Sequence, residues 1–188
     1  MRLFIALHLP KKERDRIHRA ARPLRERELP VRWVDPAHFH VTLKFLGETR
    51  DSLVGSIEAV LEKVAGTTPP FAVTLGGFGA FPTIRRPSVL WAGMDASPEL
   101  RCMKQDIEWG LAASGFDRET RAFHPHLTLG RAGEDGGAGA FRGVDDLVAG
   151  LDYTGSFIVR SVDLMRSLPS RSGPRYSVVR STRLTGTN

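Results

Sequence analysis

A four-residue pattern, histidine–any–threonine–any, occurs twice inside apolar, β-prone stretches: His40-Val41-Thr42-Leu43 and His126-Leu127-Thr128-Leu129. The copies lie 86 residues apart in a chain of 188, close to half its length, so the spacing reads as a duplication. Side chains alternate faces along a strand. Each His therefore shares a face with its Thr, while Val41, Leu43, Leu127 and Leu129 point the other way, into a core. A chain patterned like this has to bring together two related strands, each apolar on one face and bearing an imidazole and a hydroxyl on the other.

The surroundings repeat as well. Residues 3–9 read as a buried strand, and Pro10 suits the first turn of a helix running through Ile17 to about Ala21, where Pro23 forces a kink or an end. The first motif strand spans 38–46 and is closed by Gly47. Leu53, Ile57, Val60, Leu61 and Val64 recur at helical spacing up to Gly66. Phe71, Val73 and Leu75 then alternate as a strand leading into a glycine-rich turn. In the second half, 88–94 is strand-like, and Ser97-Pro98-Glu99 supplies the N-cap, first-turn proline and first-turn acid of a helix through Leu100, Met103, Ile107 and Leu111. The second motif strand covers 123–131, a short helical patch falls at 144–148, and strands follow at 157–165 and 176–184. Leu90-Trp91-Ala92 stands at the same 86-residue offset from Phe4-Ile5-Ala6. The expected fold is α+β: one bilobal domain over 1–188, with two pseudo-symmetric lobes of antiparallel sheet and helices outside. The repeats are roughly 1–80 and 88–166, a C-terminal strand covers 175–184, and a central cleft carries the two motif strands.

The formal charge of +6 and a pI near 10.1 favour an acidic partner such as nucleic acid or a phosphate ester. Apart from Lys11, Lys12, Lys44, Lys63 and Lys104, every basic residue is arginine, whose planar fork suits phosphate. A solvated basic surface would look the same. Cys102 is the only cysteine, which excludes an intramolecular disulfide framework and a cysteine-rich zinc site; on its helix it reads as a buried, inert thiol. The opening apolar run is short and its basic cluster follows it, the reverse of a signal peptide. No apolar stretch approaches membrane-spanning length, and the expected location is the cytoplasm. Residues 132–143 are glycine-rich without the Gly-Lys-Ser/Thr ending of a phosphate-binding loop, and read as a surface linker. The turn-rich segment 169–174 carries Arg171, a charge for the cleft or for solvent.

Cleaving a phosphodiester without a metal needs one group to take a proton from the nucleophile and another to give one to the leaving oxygen. Histidine suits both tasks, since its ordinary pKa lies near neutrality. In-line displacement places the two on opposite sides of phosphorus, and two symmetry-related strands provide that arrangement. Thr42 and Thr128 would donate to the non-bridging oxygens. A metal reading competes: His38-Phe39-His40 and His124-Pro125-His126 have a familiar ligand spacing, and four such histidines could hold zinc. Partner carboxylates are wanting, because Asp35, Glu48, Asp117 and Glu119 lie outside the motif strands. The expectation is therefore no metal and no cofactor.

The chain resembles the 2H phosphoesterases, and within them the RNA 2′,3′-cyclic phosphodiesterases once called 2′-5′ RNA ligases. The resemblance rests on Met1-Arg2-Leu3-Phe4-Ile5-Ala6-Leu7, on Trp33-Val34-Asp35-Pro36 through the string His40-Val41-Thr42-Leu43-Lys44-Phe45-Leu46-Gly47-Glu48, on His124-Pro125-His126-Leu127-Thr128-Leu129-Gly130-Arg131, and on Leu164-Met165-Arg166-Ser167 with Arg175-Tyr176. It implies that His40 is the proton donor to the leaving ribose oxygen, His126 the proton acceptor that activates water, and Thr42, Thr128 and Arg131 the substrate-binding groups. It further implies metal-free opening of a 2′,3′-cyclic phosphate on an RNA end to a 2′-phosphate, with reverse 2′-5′ joining in some members. It assigns no role to His38 or His124. The expected partners are RNA ends or nucleotides bearing the cyclic phosphate, with no membrane, and the expected state is a monomer. The alternatives are a 2H enzyme acting on a small cyclic or 2′,5′-linked nucleotide, a metal hydrolase, and an idle RNA-binding protein.

Overall fold

The computed structural model describes all residues except 134–136, 138, 171–172 and 188. Nine strands form one antiparallel sheet. In chain order they are β1 (Arg2–His8), β2 (Val31–Trp33), β3 (His40–Glu48), β4 (Phe71–Thr83), β5 (Arg86–Met94), β6 (His126–Ala132), β7 (Thr154–Val159), β8 (Ser161–Leu168) and β9 (Arg175–Arg183). Five helices accompany them: α1 (Lys11–Ala20), α2 (Arg22–Arg25), α3 (Val54–Thr67), α4 (Pro98–Ala112) and α5 (Val144–Ala149). The fold is α+β, as the periodicities indicate.

The strand order is β7-β4-β5-β6-β3-β1-β8-β9, with β2 on the edge of β6. At its middle, β3 and β6 share one bridging pair, Val41 with Leu127. A narrow seam therefore divides the sheet, with β7, β4, β5, β6 and β2 on one side and β3, β1, β8 and β9 on the other, and the two motif strands are that seam. Each sequence half sends a strand across: β4 pairs with β5, and β8 pairs with β1. Only Arg160 separates β7 from β8, although the two lie on opposite sides of the seam in the sheet. The single strand expected at 157–165 is thus two strands broken at Arg160, a division concealed by the β-prone residues on either side of it.

One face of the sheet builds the core. Leu3, Ile5, Leu7, Val41, Leu43, Leu127, Leu129, Val162 and Leu164 are buried there with Ile17 of α1, Ile57 and Leu61 of α3, and Met103 and Ile107 of α4. Leu24, Phe141, Val144 and Val148 form a smaller cluster where α2 meets α5. Ser97 caps α4 by accepting from the Leu100 N–H. That helix turns Leu100, Met103, Ile107 and Leu111 inward and leaves Cys102 exposed, contrary to the buried thiol expected. Among the described residues no helix is long and apolar enough to cross a membrane. Arg171 and part of the 132–143 segment lie outside the described residues.

Candidate active site

The face of the sheet opposite the core carries both motif histidines and both motif threonines. Alternation along β3 and β6 buries Val41, Leu43, Leu127 and Leu129 and leaves His40, Thr42, His126 and Thr128 partly exposed. The seam is antiparallel and in register at Val41 and Leu127, so each motif His lies across from the other motif's Thr. Neither threonine hydroxyl has a hydrogen-bond partner among the described residues. Both remain available to an anion.

The two motif strands start later than the apolar pattern suggests. Asp35 accepts from the Ala37 N–H and, with Pro36, closes a short 3₁₀ turn over Pro36–His38. β3 accordingly begins at His40, and β6 begins at His126 after Pro125. His38 and His124 stand outside the strands, so strand alternation does not align their side chains with the motif histidines. Their backbones act instead: His40 Nδ1 meets the His38 carbonyl at 2.7 Å, and His126 Nδ1 meets the His124 carbonyl at 2.7 Å. A carbonyl only accepts, so each Nδ1 carries the hydrogen and each Nε2 keeps a lone pair to receive a proton. Both imidazoles are held in one tautomer by the same local device.

Burial pushes the His40 imidazole down to about 4, outweighing the His38 carbonyl that raises it; His8, His38 and Arg131 push it further down. Burial likewise lowers His126, again against its carbonyl bond and with help from Arg131 and His124. Arg131 acts on both histidines and on Tyr176, which places its charge in the cleft between the halves.

Aromatic rings wall both histidines. Tyr176 stands edge-on to His40 at 5.0 Å and 78°, with Phe4 at 5.1 Å. Phe81 stands edge-on to His126 at 5.0 Å and 81°, with Trp91 at 6.5 Å. A Cβ at Gly79 would run into the Trp91 ring, so only glycine leaves that ring its place.

One feature breaks the symmetry. His8, opposite His40 in register, has its ring centroid 6.5 Å from that of His40, and its Nδ1 lies 2.5 Å from Asp163 Oδ2. Asp163 is buried. Offset by 86 residues, the matching positions are Met94 and Gly77, so the His126 side has no such pair. Sequence reasoning missed Phe81, Trp91, His8 and Asp163. For His8 a signal existed, since alternation along β1 puts it on the face of Phe4 and Ala6.

A family model described as the 2′-5′ RNA ligase superfamily matches residues 12–170. The RNA 2′,3′-cyclic phosphodiesterase of Aeropyrum pernix is 32% identical over 160 residues, covering 80% of this chain and 85% of that protein. The RNA 2′,3′-cyclic phosphodiesterase of Archaeoglobus fulgidus is 31% identical over 182 residues, covering 96% and 98%. Among solved structures, a protein of Thermus thermophilus matches with a TM-score of 0.81 and 27% identity over 100% of both chains. E. coli LigT complexed with 3′-AMP matches with a TM-score of 0.75 and 28% identity over 98% of each. Whole-chain similarity of this kind settles the family: the chain belongs to the 2′-5′ RNA ligase superfamily, the 2H phosphoesterases.

Proposed function

We propose that the protein is an RNA 2′,3′-cyclic phosphodiesterase that opens terminal cyclic phosphates to 2′-phosphates by metal-independent acid–base catalysis. The observation carrying this reading is the pair of partly buried imidazoles on adjoining strands, each with Nδ1 tied to a carbonyl and Nε2 left for chemistry. His126 takes a proton from water as its oxygen bonds to phosphorus. The P–O3′ bond breaks, and His40 gives its proton to O3′. Thr42, Thr128 and Arg131 bind the non-bridging oxygens. With a 5′-hydroxyl in place of water the same sequence joins two strands: His126 takes the hydroxyl proton as its oxygen bonds to phosphorus, P–O3′ breaks, His40 protonates O3′, and a 2′-5′ bond remains. The names of the relatives support the substrate.

Phosphorus NMR of the products tests the orientation. In-line attack with His40 on O3′ must give the 2′-phosphate, in the presence of EDTA as in its absence. A predominant 3′-phosphate overturns the two roles, and activity lost to EDTA and restored by zinc or manganese overturns the metal-free mechanism.

The pH profile follows from the depressed histidines. Both groups titrate below the ordinary histidine value of 6.5 in the free protein, so kcat/KM, which reports the free enzyme, falls as pH rises past that value. A bound phosphodiester anion favours the imidazolium and raises both groups. The kcat profile therefore lies at higher pH than that of kcat/KM. Coincident profiles, or a kcat profile displaced to lower pH, would contradict this assignment.

A further inference from the structure

Phe45 is 70% exposed although it sits in the middle of a core strand. Phe45 pairs with Phe4 across β1 and β3, with ring centroids 6.1 Å apart, and Phe4 touches both His40 at 5.1 Å and Tyr176 at 5.4 Å. Phe4 is buried and backs the other two rings, so Phe45 and Tyr176 are the accessible ones on the cleft face, from His40 toward the start of β1. At that end lies a cavity of about 500 Å³ walled by Arg2, Arg32 and Arg166 from β1, β2 and β8. None of the three arginines makes a side-chain hydrogen bond or ion pair among the described residues, and the Nε of Arg166 is buried without an acceptor. A buried donor of this kind costs stability unless an acceptor meets it. The one carboxylate on the cavity wall, Glu48, faces the Met1 ammonium at 3.6 Å.

Stacking rings beside a basic groove are what a single-stranded nucleic acid binds: the rings take bases of any sequence and the cations follow the backbone. From His8, level with His40, to Arg2 is six strand residues, roughly 20 Å, which is room for several nucleotides. We propose that the RNA strand leading to the cyclic phosphate lies along this track, its bases on Phe45 and Tyr176 and its phosphates on Arg2, Arg32 and Arg166. The substrate class is then an oligonucleotide end, not a mononucleotide. The proposal rests on the cyclic phosphodiesterase reading.

The test compares adenosine 2′,3′-cyclic phosphate with a tetranucleotide ending in a 2′,3′-cyclic phosphate. The wild type should turn over the tetranucleotide with kcat/KM about tenfold higher or more, the scale of one stacked base. Phe45→Ala and the double variant Arg2→Ala/Arg32→Ala remove exposed side chains, so the fold is kept. Each should lose most of that advantage while its rate on the mononucleotide stays within about twofold. For the tetranucleotide, the double variant should also flatten the slope of log kcat/KM against log salt by about 1.4, from roughly 0.7 per phosphate contact on a single strand. Equal rates for the two substrates in the wild type, or variants that slow both alike or neither, overturn the track. If the wild type hydrolyses neither substrate, the catalytic reading fails, and fluorescence anisotropy with a labelled 3′-phosphorylated tetranucleotide still decides this one: wild-type binding that Arg2→Ala/Arg32→Ala leaves unchanged overturns it.

Discussion

Replacing either His40 or His126 with alanine should lower kcat/KM on a 2′,3′-cyclic nucleotide by about 10²–10⁴-fold, the scale of one general acid or base. The two losses should not multiply in the double variant, because a proton given without a proton taken leaves the same step stalled. His40→Gln and His126→Gln fill the rings' space against Tyr176 and Phe81 and should be as slow as the alanine variants, which separates chemistry from packing. Thr42→Ala and Thr128→Ala each remove one donor to the phosphoryl oxygens and should cost less, about 1–4 kcal/mol of transition-state binding. Steady-state kinetics with matched thermal unfolding of each variant reads all of this. Near-normal turnover in a folded His40→Ala protein would remove His40 from the mechanism.

The placement of the two motif histidines on one face was legible because its signal is local. Two strands with a period of two, at one offset, specify which side chains share a face, and burial of Val41, Leu43, Leu127 and Leu129 agrees. The groups around the pair were not legible, because strand order decides them. His8 and Asp163 are 155 residues apart and meet only because β1 lies between β3 and β8. Tyr176 reaches His40 only because β9 continues that same half of the sheet. Local geometry hid other features. Alternation counted on from Thr42 would carry Lys44 to the histidine face and Phe45 into the core. The register against β1 slips between Ile5 and Ala6, which pair with Lys44 and Thr42, so β3 has one extra residue there. The bulge turns Lys44 inward and Phe45 out. One irregularity thus supplies both the exposed ring of the RNA track and a buried cation.

That buried cation underlies the second large effect, which is on stability. Glu108→Ala should destabilise the protein by about 3–5 kcal/mol, the usual cost of stripping one partner from a buried ion pair. Glu108, on α4, accepts from Lys44 Nζ at 2.6 Å, from Lys104 Nζ, and from the Glu119 N–H at 3.1 Å. Lys44, Lys104 and Glu108 are all buried. Burial pushes the Glu108 carboxyl up, but the hydrogen bonds from Lys104, Lys44 and the Glu119 backbone outweigh it and hold the group below the usual carboxylate range. A depressed carboxylate contributes stability above its ordinary pKa of 4.5 and loses it as pH falls through the folded value. The wild type should therefore give up part of its margin on acidification, and Glu108→Ala should not show that component. Lys44 also donates to the Asp117 carbonyl at 2.7 Å, so the triad fastens β3 and α4 to the chain that leads into His124 and His126. Loss of Glu108 should consequently loosen the His126 side first and lower activity below the unfolding temperature. Substituting Lys44 and Lys104 with Met in the Glu108→Ala background removes the two unpaired ammoniums and should restore much of the stability, since apolar groups of similar volume often replace buried ion networks without loss. Chemical denaturation of wild type and these variants measures each step. A Glu108→Ala protein within about 1 kcal/mol of wild type would show that the lysines find water, and that the triad is not what holds the second motif in place.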